Sequence, residues 1–401
     1  MLKDIAPETD ERAKIGPRDF LVCFIMGFTG DSKTFSLESM RRLVISKTGE
    51  SIERSTFWER LKTKRLYNQL TQTLTELNKN LSQKAQCDNG VLNKIGVSGI
   101  SIFDSTITSL YDNAQEDFNA TFTKAGIKCS LEVDLFTGAF NWAQLTPSSI
   151  HDSLCFPDIK SLAGKLSLLD LGYFDLQRFS DMDALGAYFL SRAKSNSNFV
   201  IDEVVMGIGK HHAGKNLKDI KFKNKRGNII EFRSTKKVGK ERFSFRVIGF
   251  WNAEEKKYHW YITNLKCNAK LISNLYKLRW QIELLFKSAK RSLNMDQIPS
   301  ANPMIILNLF IARMIAILIA MQIRYIGKAN MLEELHSSIS FQRSAMILTL
   351  LVQDIINYLL ELTADCESVL NLKIKVLIKE LVDPNRKNRS TSIGKVENQC
   401  T

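Results

Sequence analysis

The run MIILNLFIARMIAILIAMQ, Met304 to Gln322, constrains this chain more than any other segment. It is apolar on every side, so no face of a helix built from it can be left in water. Two environments satisfy such a run, the centre of a protein core and a bilayer. Asn308 and Arg313 interrupt it. An arginine at mid-span is costly in lipid, so the run is read as a helix buried inside protein, with a membrane span as the weaker rival. The chain must then wrap a helix completely. Its 401 residues, 44 % of them hydrophobic, are enough for a core of that size.

Charge narrows the partner. The formal net charge is +14 and the isoelectric point about 9.3, a balance that favours a polyanion, most often nucleic acid. Solubility or attraction to a membrane surface is the plainer alternative. The seven cysteines are odd in number and include no C-x-x-C pair. That argues against a structural zinc site and against a disulfide framework, and suits thiols in a reducing cytoplasm. The N-terminal MLKDIAPETDERAKIG is too polar for a signal peptide. A cytoplasmic, nucleoid-associated protein is expected.

The periodicity changes along the chain. Residues 1–90 are expected to be a helical, DNA-binding region. Within it, 36–66 holds two short helical patterns around Thr48-Gly49-Glu50, and the second is rich in Arg and Lys. That suits a helix-turn-helix, or a plain helical hairpin. Residues 91–204 alternate strands and helices. Two apolar strands, in VSGISIFDST and KLSLLDLGYFD, each deliver an aspartate at the C-terminal end, Asp104 and Asp170. Active sites of α/β sheets are built there, although a lone Asp at that place more often serves as a cap or turn residue.

Residues 205–262 read as a basic β insertion. Lys210 to Arg246 holds thirteen Lys or Arg against Asp219, Glu231 and Glu241. Such one-sided charge suits a phosphate backbone, with a solvated surface as the alternative. Residues 263–325 carry a further helix and the buried run. Residues 326–401 form a C-terminal helical region and a basic tail, whose PNRKNRSTSIGK is expected to lack structure.

The helix in 263–325 is YKLRWQIELLFKSAK. On a wheel of about 100° per residue, Tyr276, Arg279, Glu283 and Lys290 fall in one strip about 60° wide. A separate apolar stripe runs through Leu275, Leu278, Ile282, Phe286, Ala289 and Leu293. Simple i,i+4 pairing explains Arg279 with Glu283, but not Tyr276 and Lys290 in register with them. With Asp104 and Asp170, Glu283 completes a set of three carboxylates from distant parts of the chain. Such a set repels unless something positive lies between. Hard oxygen donors suit Mg²⁺ or Mn²⁺, and two such ions about 4 Å apart serve phosphoryl transfer.

Tyr276-x2-Arg279-x3-Glu283-x6-Lys290 resembles the Y-R-E-K signature of bacterial DDE transposases of the insertion-sequence-4 family. FDST at Asp104 resembles that family's first-aspartate motif and DLGYFD at Asp170 its second. The likeness runs over roughly residues 95–295. It implies an α/β fold with a ribonuclease-H-like catalytic core and mixed sheet, interrupted by the basic β insertion and flanked by helical N- and C-terminal regions. It implies Asp104, Asp170 and Glu283 as catalytic ligands of two Mg²⁺ or Mn²⁺ ions, and Tyr276, Arg279 and Lys290 as DNA-binding residues. Water would nick at the transposon end, and the freed 3′-hydroxyl would attack target DNA. The partners implied are double-stranded DNA, as transposon ends and target, and a second copy in a homodimeric synaptic complex; no membrane is implied.

Arg192, in FLSRAK, is a further candidate for DNA contact, or a surface ion pair. In related enzymes an aromatic residue of the insertion stacks on a flipped base. YHWYITNL offers Tyr258, Trp260 and Tyr261, but His259 takes the matching position, and core packing of Trp260 is the simpler reading. His151-Asp152 and His211-His212 are assigned no role. Two rivals to transposition stay open: a metal-dependent DNA nuclease without strand transfer, and a domesticated, non-catalytic DNA-binding protein.

Overall fold

The β-branched and aromatic residues of GISIFDSTITS fit a pleated, two-sided surface, and they form β1 (Gly99–Ser109). The computed structural model describes residues 14–27, 36–83, 89–194, 197–220, 229–329, 341–362 and 365–382, with positions 29 and 396. The basic tail expected over 384–395 and part of the basic run, 221–228, lie outside the described residues.

Around β1 the strands are β2 (Gly126–Asp134), β3 (Phe140–Pro147), β4 (Lys165–Leu169) and β5 (Tyr188–Arg192). The β2–β3 turn closes at Thr137-Gly138, where Gly138 takes φ 75°, a conformation that a Cβ would penalise. β1 pairs antiparallel with β2 and parallel with β4. β2–β3 is antiparallel and β4–β5 parallel, with α6 (Leu176–Ala184) making the crossover. The order β3-β2-β1-β4-β5 is that of a ribonuclease-H-like sheet, as expected.

The sheet does not stop at β5. β6 (Glu203–Met206), β7 (Ile229–Val238), β8 (Glu241–Asn252) and β9 (Lys257–Thr263) extend it to nine strands, in the order β5-β9-β8-β7-β6. The join is β9 against β5, with Leu190 opposite Thr263 and Arg192 opposite Tyr261. The basic strands are therefore hydrogen-bonded onto the sheet that carries Asp104 and Asp170.

Successive side chains of β1 point to opposite faces. Ile100 and Ile102 enter a large helical core, whereas Phe103 enters a second, aromatic core with Tyr173, Phe179 and Phe189. The helical core is built by α1 (Pro17–Met26), α2 (Leu37–Thr48), α3 (Arg54–Leu61), α4 (Lys64–Gln83) and α5 (Asn89–Ile95) before the sheet. After it come α7 (Ala269–Lys277), α8 (Trp280–Leu293), α9 (Pro303–Ala329), α10 (Phe341–Leu359) and α11 (Cys366–Leu377). Between α2 and α3 the chain turns at Gly49, φ 73°. Phe57 and Leu61 of α3 are buried, while Arg54, Lys62, Lys64 and Arg65 are exposed. Cys23, Cys129, Cys155, Cys267 and Cys366 are free thiols.

The apolar run is α9, packed by α1, α4, α8 and α10. By length and composition Pro303–Gly327 could cross a membrane, but 89 % of its most apolar window is buried inside the protein. Arg313 is fully buried and explains its own presence. Its Nε donates to the Asn294 carbonyl at 2.8 Å, its Nη1 to Leu309 at 3.1 Å and its Nη2 to Gln297. Burial pushes its pKa down to about 9, with Asp296 opposing. The guanidinium thus takes up carbonyls where α8 ends, at Asn294 in the left-handed conformation (φ 51°).

Candidate active site

Parallel pairing sets the first two carboxylates side by side. Ile102 lies opposite Leu168, so continuing two residues brings Asp104 level with Asp170. Asp170 stands just past β4 and opens a short turn, Leu171–Tyr173. Glu283 comes from the first turn of α8, where the helix dipole favours an anion.

The expected single helix over Tyr276–Lys290 is broken. α7 ends at Lys277 and α8 begins at Trp280. Across the break the bonds tighten to i→i−3: Leu278 to Leu275 at 3.0 Å, Arg279 to Tyr276 at 3.1 Å, Gln281 to Leu278 at 3.0 Å and Ile282 to Arg279 at 3.2 Å. A stretch of 3₁₀ geometry between helices often marks a functional hinge. Here it aims Arg279 into the site.

Arg279 is the centre of the cluster. Its Nη1 lies 3.6 Å from Asp104 Oδ2 and its Nε 3.8 Å from Asp170 Oδ1, while its Nη2 donates to Glu283 Oε1. Three carboxylates thus face three nitrogens of one guanidinium. Among the described residues no three acidic, His or Cys side chains are gathered closely enough to hold an ion as they stand, because the guanidinium sits between them. One guanidinium serves three carboxyl groups. Burial pushes the Asp104 carboxyl up to about 7; the Ser105 N–H and Arg279 oppose this, and Asp170 and Glu283 add to it.

Tyr276 backs the cluster. Its ring lies 5.9 Å from the Arg279 guanidinium carbon and 4.7 Å from the Tyr261 ring. Burial is the main reason its phenol is held above the ordinary value. Arg192, at the end of β5, pairs across to Tyr261. Lys290 is turned elsewhere: its Nζ donates to the Ile107 carbonyl of β1 at 3.0 Å. The structure therefore brings Asp104, Asp170, Glu283, Arg279 and Tyr276 together, with Arg192 at the next strand and Lys290 on the continuation of β1.

Trp260 is packed. It lies 5.5 Å from the Tyr258 ring and 5.9 Å from Phe232, and a Cβ at Gly249 would come within 2.4 Å of it. His259 faces Glu255 at 2.9 Å. Residues 96–319, more than half of the chain, match the sequence profile of the family described as "Transposase DDE domain".

The chain belongs to the DDE transposase family.

Insertion-sequence transposases are among the similar proteins as well. The transposase for insertion sequence element IS231F of Bacillus thuringiensis subsp. israelensis is 28 % identical over 214 residues, 43 % of this chain and 44 % of that one. The transposase for insertion sequence element IS1151 of Clostridium perfringens is 25 % identical over 250 residues, 52 % of this chain and 53 % of that one. The chain spans about half the length of these curated relatives. A cryo-EM structure of a piggyBac transposase synaptic complex with hairpin DNA aligns with TM-score 0.42 and 9 % identity, over 96 % of this chain and 84 % of that chain. At that score the likeness is no basis for comparing folds. Asp104, Asp170, Arg279 and Glu283 all fall inside the family segment.

The sequence reading missed the residues behind Asp104. Ser105 donates through its Oγ to Asp152 Oδ1 at 2.9 Å, and Lys128 donates to the same oxygen at 2.8 Å. One signal was available: Lys128 stands inside the otherwise apolar strand GIKCSLEVD.

Proposed function

We propose that this protein is a DNA transposase that cuts at the inverted-repeat ends of its own insertion sequence and joins the freed 3′-hydroxyl to target DNA. The observation that carries this reading is the convergence on one guanidinium of Asp104 and Asp170, from neighbouring strands of a ribonuclease-H-like sheet, and Glu283, from helix α8, all within the DDE transposase segment. The Y-R-E-K spacing supports the narrower membership, in the insertion-sequence-4 family.

The donor set fits a divalent metal. Three hard oxygen donors suit Mg²⁺ or Mn²⁺, and burial, the main cause of the raised Asp104 carboxyl, is a cost that a bound cation would offset. Asp104, Asp170 and Glu283 would hold two ions, which supply Lewis-acid activation of the attacking oxygen and neutralise charge on the leaving one. Arg279 offers a fork of donors matched to a phosphate, and the half-buried Tyr276 ring beside it helps to keep that fork in place. Lys290 and Arg192 extend the cationic surface to either side. The exposed basic residues of α3 and its flanks support end recognition by the region 1–90. Joining two ends calls for two copies, and the exposed Leu350, Leu372 and Val376 on α10 and α11 support self-association there.

The test is strand transfer in vitro with Mg²⁺ and linear DNA carrying the element's ends. Wild type gives joined products, and Asp104→Ala and Glu283→Ala give none. Unimpaired joining by either variant sinks the reading. Nicked but never joined DNA would make the protein a nuclease instead.

A further inference from the structure

Asp104 and Ser105 point to opposite faces of β1, and behind the carboxylate cluster a second polar group sits on the Ser105 face. Asp152 is at its centre. Its Oδ1 accepts from Ser105 Oγ at 2.9 Å and from Lys128 Nζ at 2.8 Å. Lys128, on β2, is 5 % exposed, and its ammonium also donates to the Ile150 carbonyl at 2.5 Å. The backbone N–H of Ser105 donates to Asp104 Oδ1 at 2.8 Å. Ser105 therefore holds Asp104 with its backbone and Asp152 with its side chain.

The same carboxylate meets the loop of the other aspartate. A Cβ added at Gly172, two residues past Asp170, would lie 3.0 Å from Asp152 Oδ2. A side chain there would press on the Asp152 carboxylate. Arg178 of α6 braces the two loops to each other, donating to the Tyr173 carbonyl at 2.9 Å and to the Ser153 carbonyl, with its guanidinium 4.3 Å from the Phe156 ring. One ion pair, its lysine buried and its aspartate half-buried, thus touches the strand of Asp104, the loop of Asp170 and the turn of residues 151–155.

A buried ion pair is a poor device for stability, since desolvation offsets much of its attraction and apolar replacements often do as well. Its geometry offers something else. We infer that the Lys128–Asp152 pair is a positioning device that fixes the separation of Asp104 and Asp170, and so the affinity of the site for its metal. This rests on the reading of those aspartates as metal ligands. Partners behind metal ligands commonly change metal affinity or activity about 10–100-fold when removed.

The experiment measures two quantities on the full chain, Tm without metal and the Mn²⁺ concentration that gives half of the metal-induced rise in Tm. Asp152→Asn leaves the buried Lys128 without its counter-charge and should lower Tm. The double variant Lys128→Met/Asp152→Asn removes the stranded charge and should recover Tm. The inference expects the Mn²⁺ midpoint to stay raised about 10–100-fold in the double variant, so that stability returns and metal affinity does not. Recovery of both together would overturn it, leaving the pair a purely structural contact. Asp104→Asn provides the separate check on the underlying reading. A wild type without any Mn²⁺ effect, or one whose effect survives Asp104→Asn, overturns metal binding by these aspartates, and the positioning role with it.

Discussion

Arg279 decides how the carboxylates stand. Its three nitrogens each face a different acid, which a compact ammonium cannot do. If the carboxylates hold metal as proposed, Arg279→Lys should lower nicking and joining about 10–100-fold, the range for loss of a group that orients metal ligands, while Tm stays close to wild type. A rate unchanged by this substitution would remove Arg279 from the site. Glu132 shows a different effect of burial. It is 1 % exposed and bonded to Ser101 and Asn141, yet burial, the larger influence, raises its carboxyl pKa. The folded state then holds the proton more tightly than the unfolded one. Stability from this group is full at low pH and is lost as pH rises through the folded value. Glu132→Gln should match wild-type Tm in acid and exceed it increasingly toward neutral pH. Parallel Tm curves at all pH values would refute this. None of it was legible in the residue string, because neither burial nor facing partners can be read from a lone Glu in SLEVD.

At the scale of elements, the strands were legible and their company was not. The run ending in Asp170 falls where the sequence puts it, just past β4, and so does the Thr137-Gly138 turn. β1, however, continues five residues beyond Asp104 to Ser109, so that aspartate lies mid-strand and not at a strand end as expected. The break between α7 and α8 leaves no such mark: Leu278 and Arg279 are good helix formers, with no Gly or Pro near. What tightens the chain there is tertiary, with the guanidinium directed at three carboxylates. The wheel still grouped Tyr276, Arg279 and Glu283, because the break displaces them without moving them to another face. Lys290, about two turns beyond Glu283 on α8, went with β1 instead. Helix α8 is held at its other end by Arg313. Arg313→Met should cost about 1–3 kcal/mol for each buried carbonyl left unpaired, read as a fall in Tm. No change in Tm would mean that these carbonyls find other partners.

At the scale of the whole molecule, charge and sheet act together. The net charge of +14 belongs in part to the hairpin of β7 and β8, where Arg233, Lys237, Lys240 and Arg242 are exposed. If these residues bind DNA phosphates, each one neutralised should flatten the slope of log affinity against log salt by about 0.9. A triple Lys237→Gln/Lys240→Gln/Arg242→Gln variant with an unchanged slope would discount the hairpin. Composition made that basic segment legible, but not its attachment to β5 through β9, since contacts between strands distant in sequence have no local signature. The nine-stranded sheet also has a consequence for how the chain is made. The meander of β7, β8 and β9 closes short loops and can form early, whereas β1 with β4 must wait for distant partners. Glu283 lies later still, beyond every strand. A growing polypeptide therefore offers every strand of the sheet, with Asp104 and Asp170, before Glu283 emerges, so the three-carboxylate cluster can close only once the whole sheet is available.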